Sequence, residues 1–340
     1  MTRPVHSTRF ALVGAGHIGW RHAAEMHRCG MLIAVADPLP ERASAIAGRF
    51  GGNPYSSLED LVAAEQPDVT AICTPNYLHA GQSILALRAG SHVLCEKPMC
   101  LHATEARTMI DVAKETGRQL FIVKQNRFNP PVQLVHQLLN EGRLGKILSF
   151  QVNGFWSRPR QYYQDSNWHG KKEMDGGILF TQFSHFIDLV CWLLGEVASI
   201  QVLKDNFLLK KWVDGEDTGA LLLRMKTGAI GTFHYSVDAF QKNMEGSVTL
   251  LGEYGTVKIG GQYLNTLEYF SVKDMDAPNL PPVRPANDYG HYQGSMSNHH
   301  KVYDELLKAL RGESFQLASA EEAARTVALI EKINTLESGN

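Results

Sequence analysis

The residues best suited to chemistry are a lysine and a histidine set far apart in the chain. Lys97 stands in Cys95-Glu96-Lys97-Pro98, directly after the apolar run His92-Val93-Leu94, and Pro98 restricts the backbone beside it. His185 lies in Gly176-Gly177-Ile178-Leu179-Phe180-Thr181-Gln182-Phe183-Ser184-His185-Phe186-Ile187-Asp188, where Phe186, Leu189, Val190 and Leu193 mark a buried helical face. Removing a hydride from a secondary alcohol leaves a developing carbonyl. The step is eased by a base for the hydroxyl proton and a cation beside the oxygen. Lys97 and His185 can divide those two roles. The spacing predicts one helix over 180–194, with Thr181, His185 and Asp188 at i, i+4 and i+7 on a shared face.

Such chemistry needs a hydride acceptor, and the start of the chain offers a place for one. Gly14-Ala15-Gly16-His17-Ile18-Gly19 follows an apolar strand and opens an amphipathic helix. Gly14 permits a tight turn, Gly16 lets the backbone approach a pyrophosphate, and Gly19 lets the helix pack close to the sheet. The helix N-terminus adds free N–H groups and the positive end of a dipole. Asp37 ends the next strand about 20 residues on, where a carboxylate accepts from ribose hydroxyls and repels a 2′-phosphate. This favours NAD over NADP. Asp37 also opens the turn Asp37-Pro38-Leu39-Pro40. Thr74, Pro75 and Asn76 end another strand on the ligand-binding edge, and His79 begins the helix beyond. With Glu96, Lys97 and Gln125 these residues form the expected cofactor set. The whole reads as a nicotinamide enzyme acting on an alcohol or ketone.

The elements that must hold these residues form two patterns. Apolar runs at 10–13, 32–36, 69–73, 92–95 and 120–123 alternate with helix-period stretches, the signature of a doubly wound parallel sheet in a Rossmann domain over 1–126. From 127 to 340 the chain changes. Strands at 147–156, 199–205, 219–225, 230–237, 247–251 and 256–259 are joined by short turns such as Lys226-Thr227-Gly228. This predicts a large, open, mainly antiparallel sheet with helices on one face, for substrate binding and oligomerisation. A helix at 132–141 precedes it. A proline-rich surface loop at 276–289 and two helices at 298–311 and 320–336 follow.

With 340 residues the chain suits two domains, since single cores stop growing near roughly 250–300 residues. Its 33 Lys plus Arg against 35 Asp plus Glu give a net charge of −2, no electrostatic case for nucleic acid or an anionic membrane. A small-molecule partner is expected. No apolar h-region opens the chain, and no apolar run approaches the roughly 18 residues of a spanning helix, so a cytoplasmic location is expected. Five cysteines without a C-x-x-C pair suggest neither a disulfide framework nor a zinc ribbon.

The chain resembles the Gfo/Idh/MocA (glucose-fructose oxidoreductase, inositol dehydrogenase) family through Gly14-Gly16-Gly19, Glu96-Lys97-Pro98, and Gly176-Gly177 followed by His185 and Asp188. In that family the lysine is essential and the histidine accepts or donates a proton, so the resemblance implies those roles for Lys97 and His185. One departure stands out: Thr181 replaces the aspartate common four residues before the histidine. Its hydroxyl can only hydrogen-bond the substrate.

The stretches Val123-Lys124-Gln125-Asn126-Arg127, Phe155-Trp156-Ser157-Arg158-Pro159-Arg160-Gln161-Tyr162-Tyr163 and Asn167-Trp168-His169-Gly170 are similar to the bacterial UDP-N-acetyl-2-amino-2-deoxy-D-glucuronate 3-dehydrogenases. Those enzymes make surface-polysaccharide sugars, and some keep NAD bound and regenerate it with a 2-oxo acid. The resemblance implies a substrate set of Lys97, Asn126, Arg158, Arg160, Tyr163, Trp168, Thr181, His185 and His299. Arg158, Arg160 and Tyr163 could meet a carboxylate or diphosphate, while Trp156 and Trp168 offer apolar faces to a ring. Trp156 as core, and the arginines at a subunit contact, are equally open. His299, His300 and Tyr303 begin the helix where many relatives close the pocket, and the His pair lacks the further spacing of a metal site. A homodimer or homotetramer is implied. The alternatives are a dehydrogenase of free sugars or inositols and a dinucleotide-binding regulator without turnover. Retention of Lys97 and His185 argues against the second.

Overall fold

A computed structural model describes residues 8–288, 290 and 292–338. The opening residues read above for a leader, and Tyr289 at the end of the proline-rich loop, lie outside the described residues. Two compact units divide the chain, each containing described residues of two segments: Met1–Lys124 with His299–Ala328, and Gln125–Asn298 with Leu329–Asn340. The chain thus returns to the first unit near its end, where the sequence reading drew a single boundary after Asn126.

The first unit runs β1 (Arg9–Val13), α1 (His17–Cys29), β2 (Met31–Ala36), α2 (Pro40–Phe50), β3 (Asn53–Tyr55), α3 (Leu58–Ala64), β4 (Val69–Ile72), α4 (His79–Arg88), β5 (His92–Cys95), α5 (Ala103–Thr116) and β6 (Leu120–Ile122). All six strands pair in parallel in the order β3-β2-β1-β4-β5-β6. Strands such as β4 and β5 are buried on both faces, which is why they appear in sequence as unbroken apolar runs. The order reverses between β1 and β4, so the carboxyl ends of those strands and of β5 carry the ligand-binding crevice of such a sheet. β3 was not foreseen. It holds three residues with Pro54 at their centre, tolerable only at a sheet edge, where it lies.

The second unit continues with α6 (Pro130–Asn140), β7 (Ile147–Phe155), α7 (Arg160–Gln164), α8 (Lys172–Asp175), α9 (Ile178–Thr181), α10 (Ser184–Leu194), β8 (Val197–Asp205), β9 (Thr218–Met225), β10 (Ile230–Ser236), β11 (Glu245–Gly252), β12 (Gly255–Gly260), β13 (Thr266–Val272), β14 (Ala286–Asp288) and β15 (Gln293–Met296); α11 (His299–Leu310) and α12 (Ala320–Thr335) follow. Seven strands form one sheet in the order β13-β12-β11-β7-β10-β9-β8, antiparallel except for the β7–β10 pair. Its inner face carries Phe150, Val152, Phe233 and Tyr235, buried under Phe183 and Phe186 beside Trp156. Trp156 is therefore core rather than a sugar platform. The opposite face is mostly Ser149, Gln151, Thr232 and Thr249, with Leu222 and Ile230 exposed among them.

The single helix expected over 180–194 is two, with the segments 172–181 and 184–194 bent by 55°. Phe183 buries its ring between Trp156 and Tyr235 at the break, and that packing outweighs helix continuation. His185 and Asp188 remain on one helix, α10, while Thr181 ends α9 and does not share its face. Among the described residues no single helix is long and apolar enough to cross a membrane.

Loops at one end of this sheet are held by carboxylates. Fully buried Asp217 accepts N–H bonds from Phe207, Leu208 and Leu209. Its neighbour Asp238 is half-buried, and burial together with the Asp217 charge raises its pKa to about 7. An acid raised in the folded state contributes stability while protonated, and that contribution is lost as pH rises through about 7. Asp238→Asn should therefore flatten the fall in Tm between mildly acidic and mildly basic buffers. Solvent screening at this half-exposed site keeps the change to about 2 °C. Parallel Tm profiles for both proteins would refute the assignment.

Candidate active site

In the first unit the glycine turn follows from its contacts. Gly14 has φ +93°, and a Cβ there would meet the Cys73 carbonyl oxygen at 2.6 Å. A Cβ on Gly19 would sit 2.2 Å from the Gly14 oxygen, so α1 closes directly onto the turn. Around Gly16 nothing lies within 4 Å of the Cβ position, and the first turn of α1 holds no acidic residue. An open backbone at a helix N-terminus suits a diphosphate. His17 is exposed beside it and Ile18 partly so.

Asp37 is buried at the end of β2. Its Oδ2 accepts from Ala15 N at 2.8 Å and its Oδ1 from Leu39 N at 2.9 Å. The carboxylate thus clasps the glycine turn and also begins its own turn, the two roles read in sequence, with lone pairs left for ribose hydroxyls. The residues present fit a dinucleotide.

At the ends of β4 and β5, Thr74 Oγ1 donates to Gln82 Oε1 at 2.6 Å, while Pro75 leads into a short 3-10 turn containing buried Asn76. His79 is buried with its nitrogens 2.6 Å from the Pro98 oxygen and 2.8 Å from the Thr74 oxygen. It ties the two strand-end loops together, and its ring nitrogens are committed to main chain. Lys97 is partly exposed, its amide N donating to Glu96 Oε2 at 3.0 Å, and the Lys97–Pro98 peptide is cis. Glu96 Oε1 meets His22 Nε2 at 2.9 Å and His299 Nε2 at 3.1 Å. Burial alone would raise this carboxyl, but the two imidazole hydrogen bonds hold it well below the usual range. His22 is pushed down by burial. His22, Glu96 and His299 are ligand types for a metal, yet their mutual bonds satisfy the carboxylate.

In the second unit Gln125 and Asn126 lie on a buried 3-10 turn. Gln125 Nε2 donates to Ser295 Oγ at 2.9 Å, while Gln125 Oε1 and Asn126 Oδ1 have no protein partner. Next to them, Arg127 makes a two-pronged pair with Asp188, Nε to Oδ2 at 2.8 Å and Nη2 to Oδ1 at 2.9 Å. This pair fixes α10 and with it buried His185.

Arg158 is the second feature of this unit. Only 6 % exposed, it lies over the rings of Tyr292, Trp156 and Tyr162 at 5.1, 5.4 and 5.6 Å. Nη1 donates to the Ser157 and Asn243 oxygens, Nε has no partner, and no carboxylate pairs with it among the described residues. Tyr162 OH accepts from Gln182 Nε2 at 3.1 Å, linking this cage to the break before His185. The buried Tyr163 hydroxyl is unpaired, and burial raises its pKa. Arg160 is exposed and lies over Trp212 instead, while half-buried Trp168 stands against His169. Thr181 Oγ1 bonds the Gly177 oxygen at 2.9 Å and Gln182 Oε1 at 2.5 Å.

Residues 8–124 match the oxidoreductase family with NAD-binding Rossmann fold, and residues 132–258 match the GFO/IDH/MocA C-terminal domain. The chain belongs to the GFO/IDH/MocA family. The WlbA dehydrogenase from Bordetella pertussis, solved with NADH and UDP-GlcNAcA, is 34% identical with a TM-score of 0.84, covering 96% of this chain and 95% of that one. Its counterpart from Chromobacterium violaceum, with the same ligands, is 32% identical with a TM-score of 0.87 over 96% and 92%. Levoglucosan dehydrogenase from Pseudarthrobacter phenanthrenivorans is 25% identical over 82% of this chain and 81% of that one. As a GFO/IDH/MocA member the protein is an NAD-dependent dehydrogenase acting on CH–OH donors.

Several site residues of this family member were not foreseen. His22, whose Nδ1 lies 2.8 Å from the hydroxyl of the already named Tyr303, completes the Glu96 cluster. Asp175 accepts from Gly170 N and Gly177 N, tying the Trp168 loop to the Gly176-Gly177 turn, and burial raises its pKa to about 6. Asn243 receives Ser157 N and Arg158. The His22 and Asn243 contacts cross sequence distances that local patterns do not report, whereas Asp175 reaches backbone only two and five residues away.

Proposed function

We propose that the protein oxidises the 3-hydroxyl of a nucleotide-linked uronic acid, UDP-N-acetylglucosaminuronate, to the 3-keto sugar, a step toward surface-polysaccharide sugars. The observation that carries this reading is the Arg158 cage. A buried guanidinium without an acidic partner is costly, and a substrate carboxylate removes that cost through charge-assisted hydrogen bonds. Likeness to the two WlbA structures holding UDP-GlcNAcA supports it.

In this reading bound NAD supplies the hydride acceptor. His185 takes the hydroxyl proton and the Lys97 ammonium stabilises the oxygen as it becomes a carbonyl. The Gln125 acceptor meets the cofactor, the Asn126 acceptor and the Tyr163 hydroxyl orient the substrate, Trp168 adds an apolar edge, and Thr181 replaces an aspartate with a neutral group. Assembly as a homodimer or homotetramer through the open sheet face around Leu222 and Ile230 belongs to the same proposal, and light scattering on the purified protein tests it.

The deciding experiment follows NADH formation with UDP-GlcNAcA, UDP-GlcNAc, myo-inositol and levoglucosan, with and without 2-oxoglutarate. Turnover of the uronate above the others supports the proposal, and turnover of free sugars alone replaces it with the free-sugar reading that the levoglucosan relative favours. Arg158→Gln should raise KM for UDP-GlcNAcA about tenfold to a hundredfold, the value of a charged hydrogen bond, and leave UDP-GlcNAc unchanged because it has no carboxylate. An equal loss for both sugars would remove Arg158 from carboxylate recognition.

A further inference from the structure

The last turn of α12 is held by a lysine from the sheet. Lys204 stands near the end of β8, the outermost strand on its side, and its Nζ donates at 3.2 Å to the Ile333 and Asn334 oxygens. The final carbonyls of a helix have no partner within it, and a cation there also suits the negative end of the dipole. Main chain is fastened at the same point. Lys204 N donates to Ser338 Oγ at 3.0 Å, and Ser338 Oγ donates to Lys204 O at 2.9 Å, satisfying groups that an edge strand would leave open. Lys204, Asn334 and Ser338 all belong to the second unit.

What this latch presents is the Asn334 side chain, whose Nδ2 donates to the Gly176 oxygen at 3.3 Å across 158 residues of sequence. Gly176 and Gly177 have φ +79° and +91°, and Gly177 N donates to the buried Asp175 carboxylate at 2.7 Å. The turn is thus gripped twice, by Asn334 at Gly176 and by Asp175 at Gly177. From there the backbone is bonded step by step: Gly177 O receives Phe180 N and Thr181 N, Ile178 O receives Gln182 N and Phe183 N, and Phe183 O receives Phe186 N and Ile187 N. His185 lies within the last of these steps, so a displaced turn displaces its ring. We infer that Lys204 and Asn334 are positioning residues for His185: Lys204 fixes the end of α12, and Asn334 carries that restraint to the turn from which α9 and α10 start. They act through the turn, not on the substrate. The inference rests on the reading of His185 as the base and on no particular sugar.

The test compares Lys204→Met and Asn334→Leu with wild type on whichever sugar wild type oxidises. Both remove the donors and keep most of the side-chain volume. Because small misplacements of a reacting group are costly, kcat should fall about tenfold, with KM and NADH affinity within about twofold of wild type. Lys204→Arg, which keeps a cation and its donors, should recover most of kcat. Thr335→Ala loses only a bond to the Lys332 oxygen within α12 and is the control, with kcat unchanged. A second readout needs no turnover. In spectra of histidine-labelled protein the His185 ring signal, identified by its loss in His185→Gln, should shift in Lys204→Met and Asn334→Leu and stay in place in Thr335→Ala.

Wild-type kcat in both variants with an unmoved His185 signal overturns the inference even where Tm falls, because the latch would then serve stability alone. Loss of NADH affinity along with kcat overturns it as well, as a general loosening of the fold. If His185→Gln keeps full activity, or wild type oxidises no sugar, the proposed function fails, while the His185 signal still decides whether the latch sets that ring.

Discussion

Lys97→Met should lower kcat by about a hundredfold or more while leaving Tm close to wild type. Methionine keeps the length and the apolar stem but removes the ammonium, so the variant isolates charge from packing. An ammonium at a developing alkoxide acts most strongly where water is scarce, and its preorganisation makes it effective. Here the side chain starts from a fixed point: the Lys97 amide is bound to Glu96 Oε2, and Glu96 is in turn held by two histidines. Partial exposure of Lys97 beside buried Glu96 and Pro98 suits a group anchored at its root at the edge of the site. Steady-state and single-turnover rates for the same substrate would separate the chemical step from product release. A loss below tenfold would withdraw Lys97 from oxygen stabilisation.

Much of this arrangement was legible in the sequence because it is local. The glycine turn, its strand and its helix lie within one short segment, and Gly14 and Gly19 are demanded by contacts of the turn with itself and with Cys73. Five of the six parallel strands announced themselves as apolar runs, while β3 did not, since a three-residue edge strand containing Pro54 has no periodic signal. The break before His185 was hidden for a different reason. Local spacing favoured one helix through Phe183, and only the aromatic packing of that ring against β10 and Trp156 decides otherwise. Least legible was the Glu96 cluster, whose members are separated by 74 and 203 residues. The sequence marked Glu96 as part of a motif but could not show that its carboxylate carries two imidazoles.

Breaking the Arg127–Asp188 pair should be the most destabilising single change in the second unit. Asp188→Ala leaves a guanidinium buried without its carboxylate, and such a loss costs about 3–5 kcal/mol. Both side chains are nearly inaccessible, at 5% and 3%, so no solvent replaces the missing partner. The Arg127 stack on Trp192 at 4.7 Å keeps the cation where it is rather than letting it swing to water. Replacing both residues by apolar ones of similar volume should recover most of the stability, because the pair is worth far less than the penalty for orphaning one half. Urea unfolding of the two single variants and the double variant measures this as a coupling energy, and a coupling below about 1 kcal/mol would mean the pair behaves like a surface bridge. Activity should separate the variants further. Asp188 follows His185 by one helical turn on α10, and Arg127 belongs to the turn that carries Gln125 and Asn126. The apolar double variant can restore Tm yet lose this registration, so it should fold well and remain slower than wild type, with the deficit in kcat rather than in NADH affinity.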